Sequence, residues 1–216
     1  SVPMVVRMPN GAGIGAHEHH CDSPEAYFAH VPGVVVVVPS TPQDAKGLLI
    51  SAIRSPDPVV FLEPKVLYRA GRESVPDESY EIPFGRARVA RSGADMTLVT
   101  YGGMVPVCLR AAEAASAGGV SVEVIDLRTI YPWDIDTVSN SVRRTGRLLV
   151  VQEPQRTGGI GAEIVADIAE RCGYDLIAPP RRLAATDAPW PQFAIERHAL
   201  ITEEMVASEI EVLARA

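Results

Sequence analysis

The sequence predicts a parallel α/β protein in two parts: a partial α/β domain over residues 1–63 and a complete one over 86–216, joined by a linker over 64–85. Three observations carry this reading. Short apolar stretches of strand length alternate with longer stretches of helical periodicity. The run Val34–Val38 is apolar at every position, as expected for a strand covered on both faces. Between Glu63 and Pro83 the alternation dissolves into prolines, glycines and mixed charge, and then it restarts.

In chain order, Val2–Met8 reads as a strand and Asn10–Gly15 as a glycine-rich loop. Ser23-Pro24-Glu25 reads as a helix start, with serine as the cap, proline at the first position and an acid in the positive first turn. That short helix ends before Pro32-Gly33, and Val34–Val38 follows as a strand. Thr41-Pro42-Gln43-Asp44 opens a second helix, with Leu48, Leu49, Ala52 and Ile53 on its apolar face. Pro58–Leu62 is the third strand. After the linker the expected order is strand Asp95–Tyr101, helix Met104–Ala117 closed by Gly118-Gly119, and strand Val120–Asp126. Helix Asp134–Arg144, strand Arg147–Gln152, helix Gly158–Cys172, strand Arg181–Ala185 and helix Thr202–Ala216 complete the second part. Four strand–helix units close an open sheet. The first segment is short for an α/β domain and starts inside a strand, so the expectation is an uncovered face that a second copy or another subunit must fill.

Composition narrows the function classes. A net charge of −7 and a pI near 5.3 argue against a nucleic-acid partner, which requires a basic face. No apolar run approaches membrane-spanning length, and Ser1–Arg7 lacks the pattern of a signal peptide. Cys21, Cys108 and Cys172, odd in number and widely spaced, make no disulfide framework, which points to a cytoplasmic setting.

The loop Gly11–Asp22 concentrates the unusual chemistry. Glycines allow main chain to come close to a ligand. His17, Glu18, His19, His20, Cys21 and Asp22 are metal-ligating types, but the run precedes a helix start and lacks the i, i+4 pairing of a helical ligand set. An acid, base or anion-binding imidazole is the favoured alternative. Thr157-Gly158-Gly159-Ile160-Gly161-Ala162 lies between a strand and a helix without the third glycine of a dinucleotide fingerprint. It reads as a helix start packed closely against a neighbouring subunit. Glu63 and Lys65 end a strand, a favoured place for functional groups. His30, beside Tyr27 and Phe28, reads as a satisfied core histidine.

The stretch His20-Cys21-Asp22-Ser23-Pro24-Glu25-Ala26-Tyr27-Phe28-Ala29-His30 resembles the His-Ser-Gln-Ser-x-Glu-Ala-x-Phe-Ala-His segment of the β subunits of thiamine-diphosphate-dependent 2-oxo acid dehydrogenases. The likeness continues in order through Val38–Leu49, Val60–Lys65, Ile125–Asp134 and Thr157–Glu163. Glu63–Ala70 and Pro132-Trp133-Asp134 are most similar to the branched-chain enzymes. Pyruvate or acetoin dehydrogenase β subunits are the alternative within the family, and a non-catalytic scaffold that binds subunits is the alternative outside enzymes.

The resemblance implies a partial pyrimidine-type domain followed by a transketolase C-terminal-like domain. It implies an assembly of two α and two β subunits, with thiamine diphosphate between them. The α subunit would supply the diphosphate and magnesium site, and a lipoyl acyltransferase core would accept the acyl group. It assigns His20 to the substrate pocket. The glutamate that activates the aminopyrimidine ring is expected upstream of residue 1, so no cofactor-binding residue is assigned within this chain. The main-chain carbonyls of Ala52, Ser55 and Asp57 match a structural potassium site of some members, a role open to any side chain because a hard cation takes main-chain oxygens. Two departures stand out: the family's Ser-Gln is Cys21-Asp22 here. Asp22 either raises the His20 pKa or points into solvent, and Cys21 replaces serine without becoming a nucleophile. His17 and His19 have no strong counterpart and read as loop residues in solvent.

Overall fold

A computed structural model describes residues 1–16, 20–191 and 193–216. It contains two sheets. In the first, β1 (Val5–Asn10), β3 (Val59–Pro64) and β2 (Val35–Val37) run parallel in that spatial order, and β7 (Thr129–Tyr131) pairs antiparallel with β2. The helices of this part are α1 (Glu25–Ala29) and α2 (Pro42–Arg54). The second sheet has the order β4-β6-β5-β8-β9, from β4 (Arg88–Arg91), β5 (Met96–Thr100), β6 (Val122–Asp126), β8 (Leu148–Gln155) and β9 (Arg181–Ala185). Its strands are parallel except β4, an antiparallel edge. Helices α3 (Met104–Ala117), α4 (Ile135–Thr145), α5 (Ile160–Cys172) and α6 (Glu203–Ala214) complete this part.

Most helix starts follow their sequence signals. Thr41 accepts the Asp44 N–H at the head of α2, with Pro42 at its first position, and Thr202 accepts the Met205 N–H at the head of α6. Asp134 caps α4 through the Thr137 N–H, and left-handed Gly146 ends that helix. The start of α1 differs. Pro24, not Ser23, holds the cap position and makes no side-chain cap bond, while the Ser23 hydroxyl is buried without a partner among the described residues. His30 is exposed rather than in the core: it caps the end of α1, while Phe28 and Ala29 of the same turn pack on the core.

Both sheets are mainly parallel, as expected, with two additions that the sequence did not mark. β4 and β7 are antiparallel, both short strands in segments whose polarity alternates too briefly to read as sheet. The first segment is also covered in part by the chain itself, while β1 remains an edge of its sheet. β7 comes from the second part and extends the first sheet. Val36, Val60 and Leu62 share one buried cluster with Val99, Ile125, Leu148 and Ile164. Burial of apolar area across that seam is the main force joining the two parts. A charge network reinforces it: Arg128 donates to Asp44 at 3.0 Å, and Arg88 donates to Asp126 at 3.0 Å and to Ser40 at 3.1 Å. Buried pairs of this kind specify a docking geometry more than they stabilise it.

A clamped glycine loop at the C-terminal ends of the strands

Strand β1 ends at buried Asn10, so the loop from Gly11 leaves the sheet at the C-terminal ends of its parallel strands, where α/β proteins carry their sites. The loop is pinned at its base by the Gly11 N–H, which donates to the Asp22 carbonyl at 3.0 Å. Two carboxyls of the second part reach up to it. Glu153, near the end of β8, accepts the Ala12 N–H through Oε1. Glu196, in a 3-10 segment over Phe193–His198, accepts the Gly13 N–H at 2.8 Å on Oε1 and the Gly15 N–H at 2.7 Å on Oε2. The Cys21 thiol is buried within reach of both the Ala16 carbonyl, at 3.8 Å, and Glu196 Oε1, at 3.5 Å.

Gly11 and Gly15 make this approach possible. Both have positive φ, at 84° and 68°. A Cβ on Gly11 would sit 3.0 Å from the Glu153 oxygens, and one on Gly15 would lie 2.5 Å from the Phe193 ring.

The electrostatics follow from burial. Desolvation pushes the Glu153 carboxyl up to about 7; the Ala12 N–H opposes this, Glu25 and Glu196 add to it, and Lys65 works against it. Glu25 is fully buried and also raised, chiefly by desolvation. The buried Tyr101 hydroxyl interacts with that carboxyl electrostatically; neither it nor Glu25 Oε2 has a partner of hydrogen-bond geometry among the described residues. Burial likewise raises the Cys21 thiol, with Glu196 next. A thiol kept protonated is a poor nucleophile, as the sequence implied.

Glu153 yields a pH prediction. In the unfolded chain the carboxyl ionises near 4.5, whereas the folded chain keeps its proton until about 7. Across that window the unfolded state has released a proton that the folded state still holds, so stability falls as pH rises, by about 3 kcal/mol in all. Urea midpoints at pH 5 and pH 7.5 should show this loss in the wild type and a smaller one in Glu153→Gln. Equal pH dependence in the two proteins would rule it out.

His20 lies in the loop, exposed and next to Cys21. Asp22 is exposed, with its carbonyl bound to Gly11. His17, Glu18 and His19 lie outside the described residues. Among the described residues, no group of three or more His, Cys, Asp or Glu is arranged to hold a metal. Ala52, in the last turn of α2, and Ser55 and Asp57, in the turn to β3, lie together: the Ala52 carbonyl accepts the Ser55 N–H at 3.2 Å and the Asp57 carbonyl accepts the Ser55 hydroxyl at 3.0 Å. Gly159 and Gly161 pack closely on Gln152 of the same chain, which by itself leaves no room for a side chain at either position. Glu63 is held by Arg7 at 2.6 Å and by the Tyr68 hydroxyl at 2.7 Å, at the wall of a cavity of about 600 Å³ lined also by Ser40, Thr41 and Phe61.

Sequence reasoning missed Glu153 and Glu196. An acid straight after the apolar run Leu148–Val151 and Gln152 is a weak signal for the first, and nothing near Glu196 marks it out.

Two family models match this architecture: the transketolase pyrimidine binding domain over residues 1–71 and the transketolase C-terminal domain over residues 85–206. The chain belongs to the transketolase C-terminal domain family. The glycine loop therefore lies in the pyrimidine binding domain, and both carboxyls that hold it lie in the transketolase C-terminal domain. Among curated proteins, the pyruvate dehydrogenase E1 component subunit beta of Acholeplasma laidlawii is 47% identical over 216 residues, all of this chain and 66% of that protein. The protein of the same name from Bacillus subtilis (strain 168) is 52% identical over 189 residues, 88% of this chain and 58% of its own length. The chain thus spans 58% to 66% of these relatives' length. A solved split gene transketolase, an inactive beta4 tetramer, superposes with a TM-score of 0.78 over 98% of this chain and 66% of its own. At 21% identity it bears on the fold alone. No helix among the described residues is long and apolar enough to cross a membrane.

Proposed function

We propose that this chain is the larger part of the β subunit of a thiamine-diphosphate-dependent 2-oxo acid dehydrogenase. In this reading it works in the cytoplasm with an α subunit and a second β subunit, and hands the acyl group to a lipoyl acyltransferase core. The observation that carries the reading is the identity of 47% to 52% with proteins named pyruvate dehydrogenase E1 component subunit beta, spread over 88% or more of the chain.

Bound thiamine diphosphate would supply a carbanion able to attack the 2-oxo carbon. The glycine loop does not fit the diphosphate end of that cofactor. The N–H groups of Ala12, Gly13 and Gly15 are already taken by Glu153 and Glu196, and a phosphate there would face two carboxyls. Diphosphate and magnesium therefore belong on the α subunit in this reading. The contribution of this chain is His20, carried on a fixed loop and exposed toward a partner. A structural potassium ion at the carbonyls of Ala52, Ser55 and Asp57 is part of the proposal; added potassium should raise the melting temperature, and an equal rise with sodium would remove it.

Pyruvate is the leading substrate because the similar curated proteins carry that name. The branched-chain reading rests on two segments, and the geometry weakens one of them. In Pro132-Trp133-Asp134, Asp134 caps α4 and Trp133 packs on the shared core, roles set by folding. Assay of the full-length assembly with pyruvate and with 3-methyl-2-oxobutanoate decides between them.

In that assembly, His20→Ala is expected to lower acyl transfer to a lipoyl domain at least about tenfold, the low end for a positioned acid–base group, while subunit assembly is kept. Wild-type turnover in this variant would take His20 out of the site.

A further inference from the structure

We propose that Glu196, together with Glu153, is a positioning residue for His20. The two carboxyls of the transketolase C-terminal domain hold the loop of the pyrimidine binding domain closed and so aim the imidazole. The proposal rests on the functional reading above and assigns residues that reading does not.

The argument begins with a short loop rich in glycine. Gly11, Gly13 and Gly15 all have positive φ, which gives the segment wide conformational freedom when nothing restrains it. Such a segment cannot aim a side chain by itself, because a displacement of about 1 Å at a catalytic group costs on the order of a hundredfold in rate. Here four donors on the loop converge on two acceptors outside it. Ala12 donates to Glu153, while Gly13, Gly15 and the Cys21 thiol reach Glu196. The three contacts on Glu196 come from both limbs of the loop, so one carboxyl ties together the segment before and the segment after residues 17–19. His20 immediately precedes Cys21, the donor of the second limb.

Both acceptors are themselves buried. Glu153 is 8% exposed near the end of a strand, and Glu196 is 5% exposed in a 3-10 turn. Groups on regular elements position a site more accurately than groups on loops. Glu25, Tyr101, Lys65 and Glu196 all interact electrostatically with Glu153. Cys21 also gains a purpose: the family's serine would offer a hydroxyl at this position, and a buried thiol makes the same contact at the longer reach of sulfur.

The test uses the full-length β subunit assembled with its α subunit, in wild-type, Glu196→Ala and Glu196→Gln forms. Glutamine keeps one acceptor oxygen and turns an amide NH2 toward the other glycine N–H, so it should restore only part of the clamp. The first readouts need no turnover: hydrogen exchange of the Gly13, Gly15 and Cys21 amides, and the rate at which a thiol reagent labels Cys21, located by peptide mass. Glu196→Ala should speed labelling at least about tenfold, in proportion to opening of the loop, and Glu196→Gln should fall between. The second readout is acyl transfer to a lipoyl domain, where kcat should fall at least about tenfold in Glu196→Ala, with KM for the 2-oxo acid changed less, and recover partly in Glu196→Gln.

Unchanged exchange and labelling in Glu196→Ala would overturn the clamp. A released loop with wild-type kcat would overturn the positioning role and leave only a structural contact. A wild-type assembly that turns over no 2-oxo acid would remove the functional reading and the positioning role with it, while exchange and labelling would still decide whether the clamp exists.

Discussion

Given thiamine diphosphate, magnesium and a 2-oxo acid, the 216-residue chain alone is expected to release carbon dioxide no faster than the free cofactor does. The reason is geometric. The glycine-rich loop that follows β1 at the strand ends has the Ala12, Gly13 and Gly15 N–H groups bound to Glu153 and Glu196. Without a held diphosphate, the rate should lack the millionfold or greater acceleration typical of enzymes. Carbon dioxide release by the chain alone, followed against added α subunit and full-length β subunit, measures this directly. Sustained turnover by the chain alone would mean that it holds the cofactor in a way not proposed here.

Phe61→Ala is expected to cost about 3–5 kcal/mol of folding stability, the range for a fully buried phenylalanine. Phe61 lies in β3, the strand between β1 and β2, at 2% exposure. It packs with Val37, Leu48, Ala52 and Val59, and against Ile82 and Phe84 from the segment expected to be linker. A cavity there loosens the first sheet, α2 and that segment together. Ile53→Ala on the outer face of α2, where Ile53 is 67% exposed, should change stability by less than about 0.5 kcal/mol. Urea denaturation with a common slope compares the two. A loss below about 1 kcal/mol at Phe61 would show that the cluster collapses around the gap.

Some expectations drawn from the sequence were local, and these the structure keeps. The helix Met104–Ala117 has the predicted bounds because its apolar face and the Gly118-Gly119 stop are both written within one segment. The head of α2 follows from Thr41-Pro42 in the same way. The strands Val35–Val37, Val59–Pro64 and Arg181–Ala185 were legible as apolar or alternating runs. The family likeness, carried by collinear residues from His20 to Glu163, was legible too.

Only the tertiary structure decided what that loop rests on. Glu153 and Glu196 stand far along the chain from Ala12, Gly13 and Gly15, and no periodicity links positions separated by 141, 183 and 181 residues. Glu25 read as a first-turn acid, which it is, but nothing in the sequence marked its burial beside Tyr101. β7 reads as loop by itself and becomes a strand because the free edge of β2 offers it hydrogen-bond partners. The sequence by itself determined the elements, the family likeness and the chemical character of the loop, since each depends on residues within one turn or one strand of each other. The docking of the two parts, and with it the pair of carboxyls that fixes the loop, came from burial and hydrogen bonding between residues that meet only after the chain has folded.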